Sequence, residues 1–256
     1  MEQVQVRDVG ALLRECRREW GERTFLARMK PEDLYTLAEA GVVVRLSRGE
    51  DLVVEGERDT DVYLLLSSTV EVTARSRDDE RALLAVRAAG DVIGELAALE
   101  SMARTATVSV RGQFPALAIR IEGGVFLEAL RSLPSAAVLL AATVARKLGV
   151  ATRRRIAYTG QPACVRLAGV IAEMAQDYGV RDRHGSPRMV IGVNLTQKEW
   201  GALIGVSEST AYRGFRVLKR RRLISVGYAN LAVPDVPKLR AFAYPGHLAG
   251  AEDPVI

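Results

Sequence analysis

The spacing of apolar residues changes once along this 256-residue chain, and this change constrains the fold more than any other feature. After a short predicted helix at residues 31–40, brief β-branched runs alternate with turn signals such as "SRGE", "EGERDT" and "LSS". The first strand-like runs are 42–46, 51–54, 61–66 and 69–74, and the pattern continues through "RTATVSVRGQFPALAIRI". From about Pro134 the period is helical instead. Many short strands at close spacing predict an antiparallel sandwich or jelly roll, which a helical part then follows.

The distribution of charge predicts two parts of different character. A chain of 256 residues with 48% hydrophobic content has room for two modest domains or one large domain with a real core. The net charge of +5 is uneven, because residues 1–150 carry 20 basic and 23 acidic side chains while residues 151–256 carry 16 and 8. A part with net charge −3 therefore precedes a part with net charge +8 that suits a polyanion.

Several classes of protein are disfavoured by what the sequence contains. No uninterrupted apolar run approaches the ~18 to 20 residues of a membrane span, and charges run through the first residues where a signal peptide would be apolar, so a soluble cytoplasmic protein is expected. Metal sites, haem sites and Ser-His-Asp triads are disfavoured, because they usually need cysteines or histidines. The chain has two distant cysteines, Cys16 and Cys164, and two histidines, His184 and His247. No phosphate-binding loop or catalytic constellation is visible, so no enzyme is expected.

The helix that begins near Pro134 carries a narrow apolar stripe. Small or apolar residues recur at alternating spacings of three and four, namely Val138, Ala141, Ala145, Leu148 and Thr152. Such a stripe packs either inside one domain or against a second helix, and its small residues permit a close approach. The segment "AYTGQP", residues 157–162, contains the glycine and proline of a hinge between domains.

The stretch "LTQKEWGALIGVSESTAYRGFRVLKRRRLISV" is the most informative part of the chain. It predicts a helix over 197–203, a tight turn over 204–207 and a second helix over 208–221. This is the pattern of a helix-turn-helix motif, and "LISVGYANLAV" after it predicts a β-hairpin wing. The alternative is an ordinary helical bundle in which the basic residues 219–222 form a solvated face.

Caps and helical faces follow from the same stretch. Thr196 is expected to cap the first helix in a capping box with Glu199, and Ser207 is expected to cap the second. The residues expected to be buried are Ala202, Ile204, Val206, Ala211 and Leu218. The residues expected to point outward are Glu208, Ser209, Tyr212, Arg213 and Arg216.

A second segment, "GDVIGELAALESMARTATVSV" from Gly90 to Val110, sets two charges in a small and apolar run. Burial of an unpaired polar group costs about 2–7 kcal/mol of desolvation free energy, and burial of a charge costs more unless it is paired or binds a ligand. Glu95 and Arg104 therefore need partners.

Three segments in this order resemble the Crp–Fnr superfamily of bacterial transcription regulators. They are "VYLLLSSTVEV", "GDVIGELAAL" followed by "RTATV", and "LTQKEWGALIGVSESTAYRGF". The resemblance implies an α+β fold with an N-terminal cyclic-nucleotide-binding β jelly roll, a long dimerisation helix and a C-terminal winged helix-turn-helix. The corresponding domains are residues 1–133 for the effector domain, 134–160 for the dimerisation helix and hinge, and 161–256 for the DNA-binding domain.

The resemblance also implies an effector site. In the nucleotide-binding members the Gly-Glu-Leu helix meets the cyclic phosphate, the glutamate accepts from the ribose hydroxyl and the arginine pairs with the phosphate. The residues at those positions are Gly94, Glu95, Leu96, Ala97, Arg104 and Thr105. The implied effector is cyclic AMP, with cyclic GMP or cyclic di-GMP as alternatives, and no metal. A second interpretation is that Glu95 and Arg104 pair with each other in a regulator that has lost nucleotide sensing and binds DNA without an effector or with another ligand.

One adenine contact of the family is missing here. An alignment without gaps places Ala151 where the family commonly has a threonine, while Thr152 keeps the second hydroxyl and would act across the dimer. The adjacent Arg153, Arg154 and Arg155 either compensate for the missing contact, indicate another nucleotide or form a solvated face.

The implied partners are a palindromic double-stranded DNA operator, a second copy of the chain and RNA polymerase, with no membrane. The residues expected at the DNA are Thr196, Gln197, Ser207, Glu208, Ser209, Thr210, Tyr212, Arg213 and Lys219. Where the well-known members open the recognition helix with an arginine and a glutamate and place a second arginine one turn later, this chain has Glu208, Ser209 and Arg213. Only the last is kept, so the DNA half-site is expected to differ from the family's TGTGA-like sequence while keeping one G·C pair read by Arg213.

Overall fold

Two compact units make up the chain. The structure, a computed structural model, describes residues 1–75, 81–112, 114–181, 188–227 and 230–244. Residues 1–147 form one unit and residues 148–256 the other, and they are called the N-terminal and the C-terminal unit below.

The N-terminal unit is a β-sandwich with helices on one side. Its first helices are α1 (Val9–Cys16), α2 (Phe25–Arg28) and α3 (Pro31–Glu39). Its strands are β1 (Glu2–Gln3), β2 (Val42–Leu46), β3 (Asp51–Val53), β4 (Val62–Leu65), β5 (Thr69–Arg75), β6 (Arg81–Ala88), β7 (Val92–Ile93), β8 (Thr107–Val110) and β9 (Ala116–Ile121). Helix α4 (Glu95–Glu100) lies between β7 and β8, and α5 (Gly123–Ser132) follows β9.

Strand pairing produces two antiparallel sheets in this unit. The strand orders are β1-β2-β9-β4-β7 and β3-β8-β5-β6. Alternate side chains of both sheets meet in one buried cluster, which includes Leu46, Leu65, Val70 and Val110. The opposite face of the first sheet packs against the helices through a second cluster that includes Phe126.

Helix α6 (Pro134–Tyr158) is the longest helix of the described chain. Its first turns pack into the N-terminal core through Ala136 and Leu140. By length and composition alone it is apolar enough to cross a membrane, with a mean hydropathy of 1.3 over 18 residues of which 17% are buried. Arg146 and Lys147 interrupt its apolar run, and soluble proteins also contain helices of this length and apolar composition.

The C-terminal unit contains four further helices and a small sheet among its described residues. The helices are α7 (Ala163–Tyr178), α8 (Gln197–Ile204), α9 (Glu208–Arg220) and α10 (Val236–Ala243). The strands are β10 (Val180–Arg181), β11 (Met189–Ile191), β12 (Ser225–Gly227) and β13 (Asn230–Val233), in the sheet order β10-β11-β13-β12. Helix α7 is the core element of this unit, because its residues 167–175 are all buried.

The predicted fold class is confirmed, with small shifts at element ends. The predicted strand 42–46 is β2, and the predicted helices over 197–203 and 208–221 end one residue later and one residue earlier, at Ile204 and Arg220. Helix α1 was not expected from the sequence. The predicted wing is present as the antiparallel pair β12 and β13, and its turn at residues 228 and 229 lies outside the described residues.

Candidate functional site

Helix α4 begins at a turn that requires glycine. Gly94 has a φ of +85°, in the left-handed region that side chains disfavour. A Cβ at this position would lie 2.7 Å from Nη1 of Arg104 and 2.7 Å from the carbonyl oxygen of Asp61. Arg104 also donates a hydrogen bond from Nη1 to the carbonyl oxygen of Gly94 at 3.0 Å. The turn and the arginine side chain therefore hold each other in place.

Glu95 is a buried carboxylate whose partner comes from α6. It is 5% exposed, and its Oε1 accepts a hydrogen bond from Nζ of Lys147 at 3.1 Å. The same ammonium group donates to the carbonyl oxygen of Val92 at 2.9 Å and lies 3.2 Å from Oδ1 of Asp91. Lys147 therefore pairs with Glu95 and shares the Asp91 carboxylate with Arg87, whose Nε lies 3.6 Å from Oδ2.

Arg104 is a buried guanidinium whose partners come from the loop before β4. Its side chain is 2% exposed, and it donates from Nε to Oδ2 of Asp59 at 3.1 Å and from Nη2 to Oδ1 of the same carboxylate. Nη2 also donates to the carbonyl oxygen of Asp61 at 2.7 Å. The guanidinium and the Asp59 carboxylate form a bidentate pair, and a guanidinium recognises a phosphate with the same geometry.

The surroundings of Asp59 and Asp61 shift the pKa values of the two carboxyl groups in opposite directions. The hydrogen bonds from Arg104 lower the pKa of Asp59 below its ordinary value, whereas burial raises the pKa of Asp61. Two cations, Arg104 and Lys147, lie among the carboxylates of Asp59, Asp91 and Glu95. The cluster is thus already rich in internal ion pairs.

The predicted effector residues are only partly brought together. Gly94, Glu95 and Arg104 belong to one cluster. The interpretation of a direct ion pair between Glu95 and Arg104 is wrong, because Glu95 pairs with Lys147 and Arg104 pairs with Asp59. Leu96 and Thr105 are exposed, whereas Ala97 is buried. Thr152 is an exposed residue of the C-terminal unit. That these residues bind an effector stays a prediction.

Sequence reasoning missed the partners that complete the cluster. Asp59 and Asp61 belong to the segment "EGERDTD", which has the composition of an ordinary turn. Lys147 lies about one helical turn before Ala151 and Thr152. Their charges were the signal that could have found them. A buried charge needs an opposite charge, and Asp59 and Asp61 stand just before and at the start of a predicted buried strand.

Arg153 and Arg154 pair with a buried carboxylate of the C-terminal unit. Nε of Arg154 donates to Oε2 of Glu173 at 3.0 Å, and Nε of Arg153 lies 3.7 Å from Oε1. Burial raises the pKa of Glu173, which also accepts a hydrogen bond from the hydroxyl of Tyr244 at 3.3 Å. A role of Arg153 and Arg154 in nucleotide binding would require them to leave this buried carboxylate.

The helix-turn-helix has the local geometry that its sequence predicts. Oγ1 of Thr196 accepts from the backbone N–H of Glu199 at 3.2 Å and Oε2 of Glu199 accepts from the backbone N–H of Thr196 at 2.6 Å, which is a complete capping box. Gly205 ends α8 with a φ of +65°. Trp200 and Phe215 join α8 and α9 by an edge-to-face ring contact with centroids 5.6 Å apart.

Two local expectations for this motif are wrong. Ala202 is exposed, because the inner face of α8 is formed instead by Trp200, Gly201 and Leu203. Ser207 occupies the N-cap position of α9, but its hydroxyl contacts those of Ser209 and Thr210 instead of a backbone N–H.

The outer face of α9 is exposed and basic. All five residues expected to point outward are exposed, as are the following cationic positions Lys219 and Arg220. Nη2 of Arg213 donates to Oγ1 of Thr210 at 3.0 Å, which leaves other N–H groups of the guanidinium available. This face can reach a DNA groove without displacing a buried contact.

A cleft lies between α9 and the wing. It has a volume of about 170 Å³, and its lining includes Gln197, Tyr212, Lys219 and Val226. Oε1 of Gln197 is buried without a hydrogen-bond partner. The structure thus brings together three of the residues predicted for DNA contact, with one unsatisfied acceptor among them.

Within residues 1–75, 81–112, 114–181, 188–227 and 230–244, no group of three or more His, Cys, Asp and Glu side chains is arranged to hold a metal ion. His184 and His247 lie outside the described residues.

Comparison with known families matches two parts of the chain. Residues 43–132 match the family model of the cyclic nucleotide-binding domain, and residues 165–242 match that of the Crp-like helix-turn-helix domain. Gly94, Glu95 and Arg104 fall in the first match, and α8 and α9 fall in the second.

Individual relatives agree with these matches. The chain is 24% identical over 217 residues to the HTH-type transcriptional regulator Cmr of Mycobacterium tuberculosis, covering 85% of this chain and 82% of Cmr. It is 24% identical over 182 residues to the cAMP-activated global transcriptional regulator CRP of Escherichia coli, covering 71% of this chain and 84% of CRP. The structure of FixK2 from Bradyrhizobium japonicum is similar in fold, with a TM-score of 0.65 at 18% identity over 82% of this chain and 99% of FixK2.

Proposed function

This chain belongs to the Crp–Fnr superfamily of transcription regulators, and we propose that it is a dimeric, sequence-specific DNA-binding regulator controlled by a cyclic nucleotide. The observation that carries the proposal is the presence in one chain of the buried Glu95 and Arg104 cluster and of a helix-turn-helix with an exposed basic face. The first offers a carboxylate and a guanidinium for a ribose and a phosphate, and the second offers cations for DNA.

The stripe on α6 supports the homodimer. Val138 and Leu148 are 64% and 68% exposed, and Ala141, Ala145 and Thr152 are exposed too. A second copy of α6 would cover this apolar line and present two recognition helices to two half-sites one DNA turn apart, about 34 Å. In this proposal residues 1–133 are the effector domain, 134–160 the dimerisation helix and hinge, and 161–256 the DNA-binding domain.

The effector of this proposal is a cyclic nucleotide bound beside Glu95 and Arg104. Cyclic AMP is the first candidate because the relative CRP is named as cAMP-activated, and cyclic GMP and cyclic di-GMP are the alternatives. The missing threonine at Ala151 argues for testing all three. An effector controls DNA binding only if it has different affinities for two states of the protein.

Calorimetric titration of the purified protein with the three cyclic nucleotides tests the effector. Arg104→Ala removes a charge-assisted contact and should weaken binding by about 1.5–3 kcal/mol. Saturable binding by the wild type that weakens in Arg104→Ala supports the proposal. If the wild type binds none of the three, the second candidate function holds, a regulator that has lost nucleotide sensing, which the internal pairs of Glu95 and Arg104 favour.

The proposed DNA site follows from α9. Arg213 is exposed and can read a guanine through its N7 and O6 acceptors, whereas Glu208 repels those acceptors and prefers a cytosine amino group or no base. Ser207, Thr210 and the basic residues 219–222 are proposed to contact phosphates, which position the protein without reading sequence. The operator is therefore a palindrome that differs from a TGTGA-like half-site and keeps one G·C pair that depends on Arg213.

The protein is proposed to act in the cytoplasm of a bacterium as a regulator and not as an enzyme, away from the membrane and with RNA polymerase as a partner at its promoters. The similar proteins Cmr and CRP are described as transcriptional regulators.

A further inference from the structure

The two-donor edge of Arg104 is already occupied by a carboxylate of the same chain. Nε and Nη2 of the guanidinium both donate to Asp59, one of them at 3.1 Å. This is the edge that a phosphate would use for two parallel hydrogen bonds. We propose that Asp59 is an internal competitor for the anionic group of the effector, which must displace the Asp59 carboxylate from Arg104 in order to bind. This inference rests on the proposed binding of a cyclic nucleotide.

The other contacts of Arg104 keep its guanidinium in position during such an exchange. Nη1 donates to the carbonyl oxygen of Gly94 and Nη2 donates to that of Asp61, so two backbone acceptors hold the plane of the group from the protein side. A guanidinium has five N–H donors, and these contacts together with Asp59 use four of them. Without displacement only one N–H of Nη1 remains, which allows a single hydrogen bond to an incoming phosphate.

An exchange requires that the departing carboxylate can reach water while the guanidinium stays in place, and the exposures of Asp59 and Arg104 meet this requirement. The side chain of Arg104 is 2% exposed, whereas that of Asp59 is 42% exposed. A displaced Asp59 regains water, but an abandoned Arg104 would be an unpaired buried charge. The Asp59 carboxylate therefore leaves Arg104 only when another anion replaces it. Without an effector, Arg104 stays paired with Asp59.

Charge balance indicates the class of anion that replaces it. A phosphodiester carries one negative charge, as Asp59 does, so the exchange leaves the pairing of Arg104 unchanged. A phosphomonoester, which is close to doubly charged at neutral pH, would leave one negative charge unbalanced at Arg104. The cluster is therefore suited to a singly charged cyclic phosphate and disfavours the corresponding monoester.

The test is calorimetric titration of cyclic AMP, cyclic GMP and cyclic di-GMP into the full chain and its variant Asp59→Asn. The variant removes the competing charge and should bind the effector about 10-fold or more tightly than the wild type, as expected when one charge-assisted pair no longer has to be broken. Asp61→Asn is the matched control, because it removes the same charge two residues away while its backbone carbonyl remains the acceptor for Arg104. The control should bind within about 3-fold of the wild type, since Arg104 donates to the backbone carbonyl of Asp61, while the half-buried Asp61 carboxylate lies 3.7 Å from Nη1 of Arg120.

Thermal unfolding of each variant establishes that it is folded, and Asp59→Ser provides a second removal of the carboxylate if Asp59→Asn does not fold. Weaker binding by both Asp59 variants would overturn the proposal and make Asp59 a positioning residue that supports Arg104. Unchanged binding, or an equal gain in Asp61→Asn, would overturn it as well while leaving the proposed effector intact. If neither the wild type nor any variant binds a cyclic nucleotide, the inference and the proposed effector fail together.

Discussion

Replacement of Leu148 by arginine should separate the proposed dimer. The side chain of Leu148 is 68% exposed on α6, in line with Val138 and Ala145. Burial of a whole leucine side chain contributes about 1.5–3 kcal/mol, so covering this one in two protomers contributes roughly 2–4 kcal/mol. Leu148→Arg loses that contribution, which raises the dimer dissociation constant by about 30- to 700-fold.

Sedimentation velocity over a concentration series measures the effect. Leu84→Arg is the matched control, because Leu84 is 50% exposed on the strand β6 and is not a residue of the α6 stripe. The control should dimerise like the wild type. The reasoning is refuted if the wild type is monomeric at micromolar concentration, if Leu148→Arg dimerises as the wild type does, or if Leu84→Arg dissociates equally.

Three further perturbations address the other parts of the molecule. Arg213→Ala should lose about 1–3 kcal/mol of DNA affinity and relax one symmetric position in sites selected from random DNA, whereas Arg220→Ala should weaken all sites evenly. Burial raises the pKa of Glu173, so the wild type should gain stability over Glu173→Gln as pH falls from 7 through that raised pKa toward the ordinary value of 4.5 in denaturant titrations. Gly49 has a φ of +83° and open space around an added Cβ, so Gly49→Ala should cost about 1–2 kcal/mol of stability through its backbone conformation alone. Gly94→Ala should cost more and should also weaken nucleotide binding, because its Cβ would meet the guanidinium at 2.7 Å.

Each of these has an outcome that contradicts it. Uniform weakening in Arg213→Ala would make this arginine a phosphate contact, and selection of an unmodified TGTGA palindrome would contradict the interpretation of Glu208. A stability difference between wild type and Glu173→Gln that is constant with pH would mean that burial does not dominate at Glu173. Equal costs for Gly49→Ala and Gly94→Ala would show that the turn before α4 is not crowded.

The helix-turn-helix was predictable to within a residue because its signals are local. The capping box of Thr196 and Glu199 and the positive φ of Gly205 depend on residues that are neighbours in the sequence. Ala202 was misplaced because spacing within a short helix does not determine which neighbouring positions pack, and the contact of Trp200 with Phe215 selects the inner face. Local pattern thus predicted the motif better than its packing.

The candidate effector cluster was predictable only as a need for partners. The sequence indicates that Glu95 and Arg104 require opposite charges, but Asp59 lies 45 residues before Arg104 and Lys147 lies 52 residues after Glu95. These pairings depend on the register of β4 and on the approach of α6, which are tertiary features that no local spacing encodes. The internal competition at Arg104 therefore became visible only in the structure.

Fluorescence anisotropy of a labelled operator, selected from random DNA, tests most directly whether the N-terminal unit controls DNA binding. The measurement compares the affinity of the wild type with and without saturating cyclic AMP, cyclic GMP or cyclic di-GMP. Control by a cyclic nucleotide predicts that one of the three changes the affinity by about 5- to 150-fold, the usual range of coupling between two sites, and that Arg104→Ala abolishes the change. The same affinity in the presence and absence of all three would contradict control by a cyclic nucleotide and would leave a regulator that binds DNA without it.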